Sequence, residues 1–136
     1  MQNKSLVKDY IDRAQIRLGS VEYLYSKKSW ADVVRESQEI VELALKALLR
    51  FSHIDVPRIH DVSGILTEEK AKLPKDIEAH LEKLCDISRS LRRDRELAYY
   101  GSEDLTPSEF YQQKDAKLAM ESAHFVVEKV FQVVKK

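Results

Sequence analysis

Glycine and proline punctuate helices and shape tight turns, and this 136-residue chain has only three of each. Sandwiches and barrels need turn residues roughly every 8–12 positions, so an all-β fold is disfavoured and long helices are expected. The length fits a single domain over residues 1–136, large enough to bury a core without a disulfide or a metal. Cys85 is the sole cysteine, which fits a reducing compartment. Lys plus Arg and Asp plus Glu both number 23, so bulk charge is not a means of coating nucleic acid. A local basic patch stays open. The N-terminus has no apolar signal core, and no apolar run approaches the ~20 residues of a membrane span. A cytoplasmic protein, off the membrane, is expected.

Apolar spacing predicts the helices. Over residues 3–26, Leu6, Val7, Tyr10, Ile11, Ala14, Leu18, Val21 and Tyr25 recur at steps of three and four. Gly19 interrupts that stripe and is read as a close helix contact. Residues 30–52 form the clearest helix, capped by Ser29 with Asp32 in support. Its stripe of Val33, Val34, Ser37, Ile40, Val41, Ala44, Leu45 and Leu48 is broad enough for the centre of a core. Residues 53–60 hold Pro57 and read as a loop. Asp61 can cap a short helix to Leu66, and Thr67 with Glu68 and Glu69 a further turn near Lys70. Pro74 then opens a helix carrying Ile77, Leu81, Leu84, Ile87 or Ser88, and Leu91, which runs to about Tyr100 and ends at Gly101. Thr106, Pro107 and Glu109 make a capping-box pattern for a last helix. That helix carries Phe110, Leu118, Ala119, Ala123, Val126, Val127, Val130, Phe131 and Val134, and its arc of Val126, Val127, Val130, Phe131, Val133 and Val134 is wide enough to suggest a dimer face. Four long helices with short connections imply an all-α, antiparallel up-and-down four-helix bundle with an extra short helix.

Metal and nucleophile templates fail. There is no paired-cysteine motif, no zinc-protease helix and no phosphate-binding glycine loop, so no metal or cofactor is expected. Cys85 reads as a buried thiol, and His53, His60, His80 and His124 show no ligand spacing. His53 and His60 flank one loop and could meet in space. Two features stand out. Residues 89–95 hold Arg89, Arg92, Arg93 and Arg95 against one acid, Asp94. On a helix, Arg93 and Tyr100 fall within about 20° of each other, two turns apart. Guanidinium forks suit phosphate, and tyrosine can stack on a base. A solvated face pairing with Glu96 is the plain alternative. The second feature is Ser37-Gln38-Glu39 followed by Glu42 and Lys46 within an apolar helix, with Gln38, Glu42 and Lys46 as its supporting polar set. It is either a simple i,i+4 pair or one wall of a groove facing the arginine helix.

These residues carry a family resemblance. Trp30, then Gln38, Glu42 and Lys46 followed by Ala47-Leu48-Leu49, then the loop ending His60-Asp61-Val62, resemble the HEPN domain family (higher eukaryotes and prokaryotes nucleotide-binding). The resemblance spans essentially the whole chain. It implies a dimer of helical bundles, often with the functional cleft between subunits. Many members pair with a minimal nucleotidyltransferase in toxin–antitoxin-like systems. Active members cut RNA without metal, using an arginine, a polar residue, three residues and a histidine, often followed by x-Tyr. In that scheme Arg binds the phosphate and His moves protons.

On this motif Arg93 takes the arginine place, Asp94 the polar place and Tyr100 the final tyrosine. Ala98 stands where the histidine should be, and alanine transfers no proton. His60 could replace it only if the fold brings it to Arg93. Tyr100 corresponds to the tyrosine that receives nucleotide from the partner transferase in some members. The expected function is therefore a homodimer that binds nucleotide, RNA or a nucleotidyltransferase through Arg89, Arg92, Arg93, Asp94 and Tyr100, without standard RNase catalysis. A metal-independent endoribonuclease and a pure protein-interaction module are the alternatives.

Overall fold

The computed structural model describes residues 4–56, 58–100 and 105–135, with the side chains of residues 93–100 outside that description. Among the described residues every regular element is helical. The helices are α1 (Lys4–Ser26), α2 (Trp30–Phe51), α3 (Ser63–Glu68), α4 (Lys75–Glu78), α5 (Leu81–Tyr100), α6 (Pro107–Phe110) and α7 (Gln113–Val134). A single 3-10 turn, Lys70–Lys72, follows α3.

α2 is the hub. It packs on α1, α5 and α7, while α1 also packs on α7 and α3 lies on α5. Its position follows from its sequence: Val33, Ile40, Leu45, Leu48 and Leu49 are fully buried, and Ser37 and Gln38 are buried with them. α1 contributes Val7, Ile11, Ala14 and Val21, and α5 contributes Leu84, Cys85, Ile87 and Leu91. The valines of α7 complete the core through Val126, Val127, Val130 and Val133, with Phe131 and Val134 packed against it. Four valines of the wide apolar arc of the last helix are thus spent in the chain's own core, while Phe131 and Val134 are partly buried. No helix among the described residues is long and apolar enough to cross a membrane.

Two long segments expected to be continuous are each split. The helix expected to begin at Pro74 turns after Glu78, where His80 N–H bonds to the Ile77 carbonyl three residues back, and α5 starts at Leu81. Thr106 and Glu109 form the expected capping box on α6, but that helix is one turn long. A second box, Gln112 with Asp115, then starts α7. Between them Tyr111 is buried and pins the corner. This geometry corrects two core assignments, since Phe110 is 42% exposed and Leu118 68% exposed.

Helix ends explain how three glycines suffice. After α1 and α2 the chain passes through left-handed residues, Lys28 (φ 60°) and His53 (φ 61°). At each, the following N–H reaches back five residues, Ser29 to Leu24 and Ile54 to Leu49, closing a Schellman-type cap usually built on glycine. Gly19 is not a close contact: a Cβ there would meet nothing within 4 Å. Ser29 does not cap α2 as expected either. Its hydroxyl donates to Asp32 at 2.7 Å instead of accepting from the helix. Gly101, the expected stop for α5, lies outside the described residues.

Candidate functional site

Steps of four place Gln38, Glu42 and Lys46 on one ridge of α2. Glu42 is the centre. Gln38 Nε2 donates to its Oε1 at 3.1 Å, and Lys46 Nζ donates to its Oε2 at 2.9 Å. His60 closes the group, with Nδ1 2.8 Å from Glu42 Oε1. Burial alone would raise the Glu42 pKa, but hydrogen bonds from Lys46, His60 and Gln38, with the Lys46 charge, outweigh it and hold the carboxyl below its ordinary range. An ionised carboxylate can only accept, so His60 Nδ1 carries the hydrogen and Nε2 is the acceptor of the neutral ring.

The groove beside this cluster holds about 290 Å³ and is walled by Tyr10, Arg13 and Arg17 of α1, Glu39 and Lys46 of α2, and His60. Its described walls thus come from α1, α2 and His60. The groove charges are paired within the chain. Arg17 binds Glu36 at 2.6 Å and reaches Glu39 at 3.5 Å, while Lys46 binds Glu42.

The loop before α3 is stapled at both ends of its His60-Asp61 pair. His60 reaches α2 through Glu42. Asp61 reaches α5, where the Ser88 hydroxyl donates to its Oδ1 at 2.8 Å. The same Asp61 oxygen accepts from Ser63 N–H at 2.9 Å, and Ser88 Oγ accepts from Val62 N–H at 3.2 Å. For Asp61 too, burial opposes ionisation, and the bonds from Ser63 and Ser88 with the nearby Arg89 charge prevail, lowering its pKa. The partners His60–Glu42 and Asp61–Ser88 are separated by 18 and 27 residues, so local spacing could not have revealed them.

α5 carries the other candidate residues. Arg89 is exposed and pairs with Asp86 one turn earlier, and Arg92 is half-buried. Arg93, Asp94, Ala98 and Tyr100 fall on the last turns of α5, and their side chains lie outside the described residues. The four histidines occupy separate places. His53 shapes the end of α2, His80 stacks edge-on against Phe125, and His124 lies 3.2 Å from Glu22. His60 lies beside the groove. Cys85 is buried, its sulfur 3.6 Å from Thr67 Oγ1 and the Ser63 carbonyl. Among the described residues no group of three His, Cys, Asp or Glu side chains could hold a metal.

A helical domain built on a central polar-ridged helix, with a loop tied to that helix by His60 and to α5 by Asp61, defines the class. The HEPN domain family model matches residues 7–136, and the chain belongs to that family. The chain is also similar to a crystal structure of an archaeal HEPN homologue. The two share 26% identity at a TM-score of 0.70, over 98% of this chain and 99% of that one. Among curated proteins no match was found.

Proposed function

We propose that this HEPN domain is a homodimeric, up-and-down four-helix bundle that binds a nucleotide, RNA or a minimal nucleotidyltransferase, and that it lacks standard RNase catalysis. Residues 1–136 act as one domain in this reading. The observation that carries it is the unbroken course of α5 from Leu81 to Tyr100. That continuity keeps Arg89, Arg92, Arg93 and Asp94 in helical register with Tyr100, two turns beyond Arg93. The same register sets Ala98 at the histidine's place, where no proton can be exchanged. The arginines supply charge-assisted forks for phosphate, and Tyr100 is a candidate for nucleotide attachment by the transferase. The test is binding of labelled RNA and mononucleotides by wild type and Arg93→Ala. Weakened binding with unchanged melting is expected; equal binding by both proteins sinks the reading.

One observation favours the endoribonuclease alternative in a toxin–antitoxin-like pair. Glu42 fixes His60 Nδ1–H and so leaves Nε2 able to take a proton. Cleavage of labelled RNA in EDTA, lost in His60→Ala, would establish it. Capture of a neighbouring protein, lost on charge reversal at Arg92 and Arg93 and indifferent to nucleotide, would establish a pure interaction module instead.

A further inference from the structure

α5 and α7 both pack on α2 but scarcely touch each other, and among the described residues a cleft of about 490 Å³ opens between them. The sequence makes the room. Helical spacing puts Asp86 and Ser90 on one face of α5, and Asp115, Ala119 and Ser122 on one face of α7. Ser90, Ala119 and Ser122 are too small to close the gap. The floor is apolar, with Val34 of α2 and Ile87 and Leu91 of α5 all buried. Phe110 lines the cleft from the short α6. It is held edge to face against Tyr111, ring centres 5.0 Å apart, yet stays 42% exposed. An exposed aromatic ring beside an apolar floor is a platform on which a flat ring stacks.

The polar lining favours a ligand that donates hydrogen bonds. Asp86 lines the cleft from α5 and Asp115 from α7. Asp115 accepts from Gln112 N–H at 2.8 Å and so serves the cap of α7. Asp86 is 60% exposed at its side chain and pairs with the equally open Arg89. Lys83 also lines the cleft, with its Nζ 3.9 Å from the centre of the Phe125 ring. Of the four RNA bases, guanine alone offers two adjacent donors on its pairing edge, N1–H and N2–H, and one carboxylate accepts both. Adenine and cytosine set a ring acceptor beside their amino group, and uracil has one donor between two carbonyls. α5 also supplies the phosphate end. Asp86 and Arg93 are seven residues apart, within about 20° around the helix and about 10 Å along it. That is the scale of one nucleotide from phosphate to pairing edge, and Arg89 stands one turn from each. A phosphate that takes Arg89 releases Asp86 for the base.

We propose that the cleft between α5 and α7 is a guanine pocket, with the base stacked on Phe110 and its pairing edge donating to Asp86. The inference rests on the nucleotide-binding reading above and names the base that site reads. The test is fluorescence anisotropy in EDTA with two labelled strands, oligouridine carrying one central guanosine or one central adenosine. Circular dichroism checks that each variant stays helical. Wild type should prefer the guanosine strand roughly tenfold, as a bidentate base contact warrants. Asp86→Asn, which cannot accept two hydrogen bonds side by side, should bind both strands alike, and Phe110→Ala should lose most of the preference. Arg93→Ala should weaken both strands and keep their ratio. Competition by GMP better than by AMP extends the pocket to free nucleotide, whereas a preference confined to the strand assigns it to RNA; both support the pocket. Equal binding of the two strands by wild type, or a preference untouched by Asp86→Asn and Phe110→Ala, overturns the pocket and leaves the nucleotide-binding reading standing. Failure of wild type to bind either strand or either nucleotide overturns both.

Discussion

The polar ridge of α2 and the arginine run of α5 look alike as sequence: each sets charged residues at helical spacing. In three dimensions Glu42 and Arg89, one from each, differ in who satisfies them. Glu42 sits low in a groove, 18% exposed at its side chain, and takes donors from Gln38, Lys46 and His60. Its partners span two helical turns and a loop, so the cluster ties the chain to itself. Arg89 is 53% exposed at its side chain and has Asp86, one turn away and 60% exposed, as its partner. An exposed pair of that kind contributes little to folding and is readily exchanged for a phosphate. Internal satisfaction marks a structural cluster, and exposed charge marks a surface free to bind.

The comparison breaks most sharply at Glu42. Glu42→Ala leaves the Lys46 ammonium, Gln38 and His60 without their common acceptor. It should destabilise the fold by about 2–3 kcal/mol, read as a lowered Tm. The same ridge sets the acid limit of stability. Glu42 and Asp61 are both held below their ordinary values of 4.5 and 3.8. A depressed folded pKa gives stability that is fully present above the unfolded value and lost as pH falls through the folded one. Urea midpoints should therefore stay flat near neutrality and decline below about pH 4.5, and Glu42→Gln should flatten part of that decline.

Ser88→Ala is a middle case. It strips Asp61 of one donor and leaves the buried Val62 N–H without its acceptor, for a loss of about 1 kcal/mol in chemical denaturation. Lys28→Gly removes a left-handed strain at the end of α1 and should raise stability by about 0.5–1 kcal/mol. Arg89→Ala closes the series with a change within about 0.5 kcal/mol, because its ion pair is exposed. A large loss there would erase the contrast between the two helices.

The helices were legible because apolar spacing is a local signal. α2 emerged as the hub, since its stripe was broader than a surface helix needs. The interruptions were harder to read. The second capping box rests on Gln112, a residue that seldom marks a helix start, and the left-handed caps at Lys28 and His53 use side chains that carry no turn signature. In the polar cluster, Gln38, Glu42 and Lys46 could be grouped by their steps of four, whereas His60 joins them only through tertiary folding. The groove walls that α1 lends beside this ridge were likewise outside the reach of local spacing.

If α5 binds RNA while the α2 cluster holds the fold, substitutions in the two helices separate affinity from stability. The most direct measurement titrates labelled single-stranded RNA in EDTA against wild type, Arg93→Ala and Glu42→Gln, following retention and integrity of the RNA together. Wild type should bind intact RNA, Arg93→Ala should bind at least tenfold more weakly at unchanged Tm, and folded Glu42→Gln should keep near-normal affinity. RNA affinity that is lost with Glu42→Gln yet untouched by Arg93→Ala would contradict that separation.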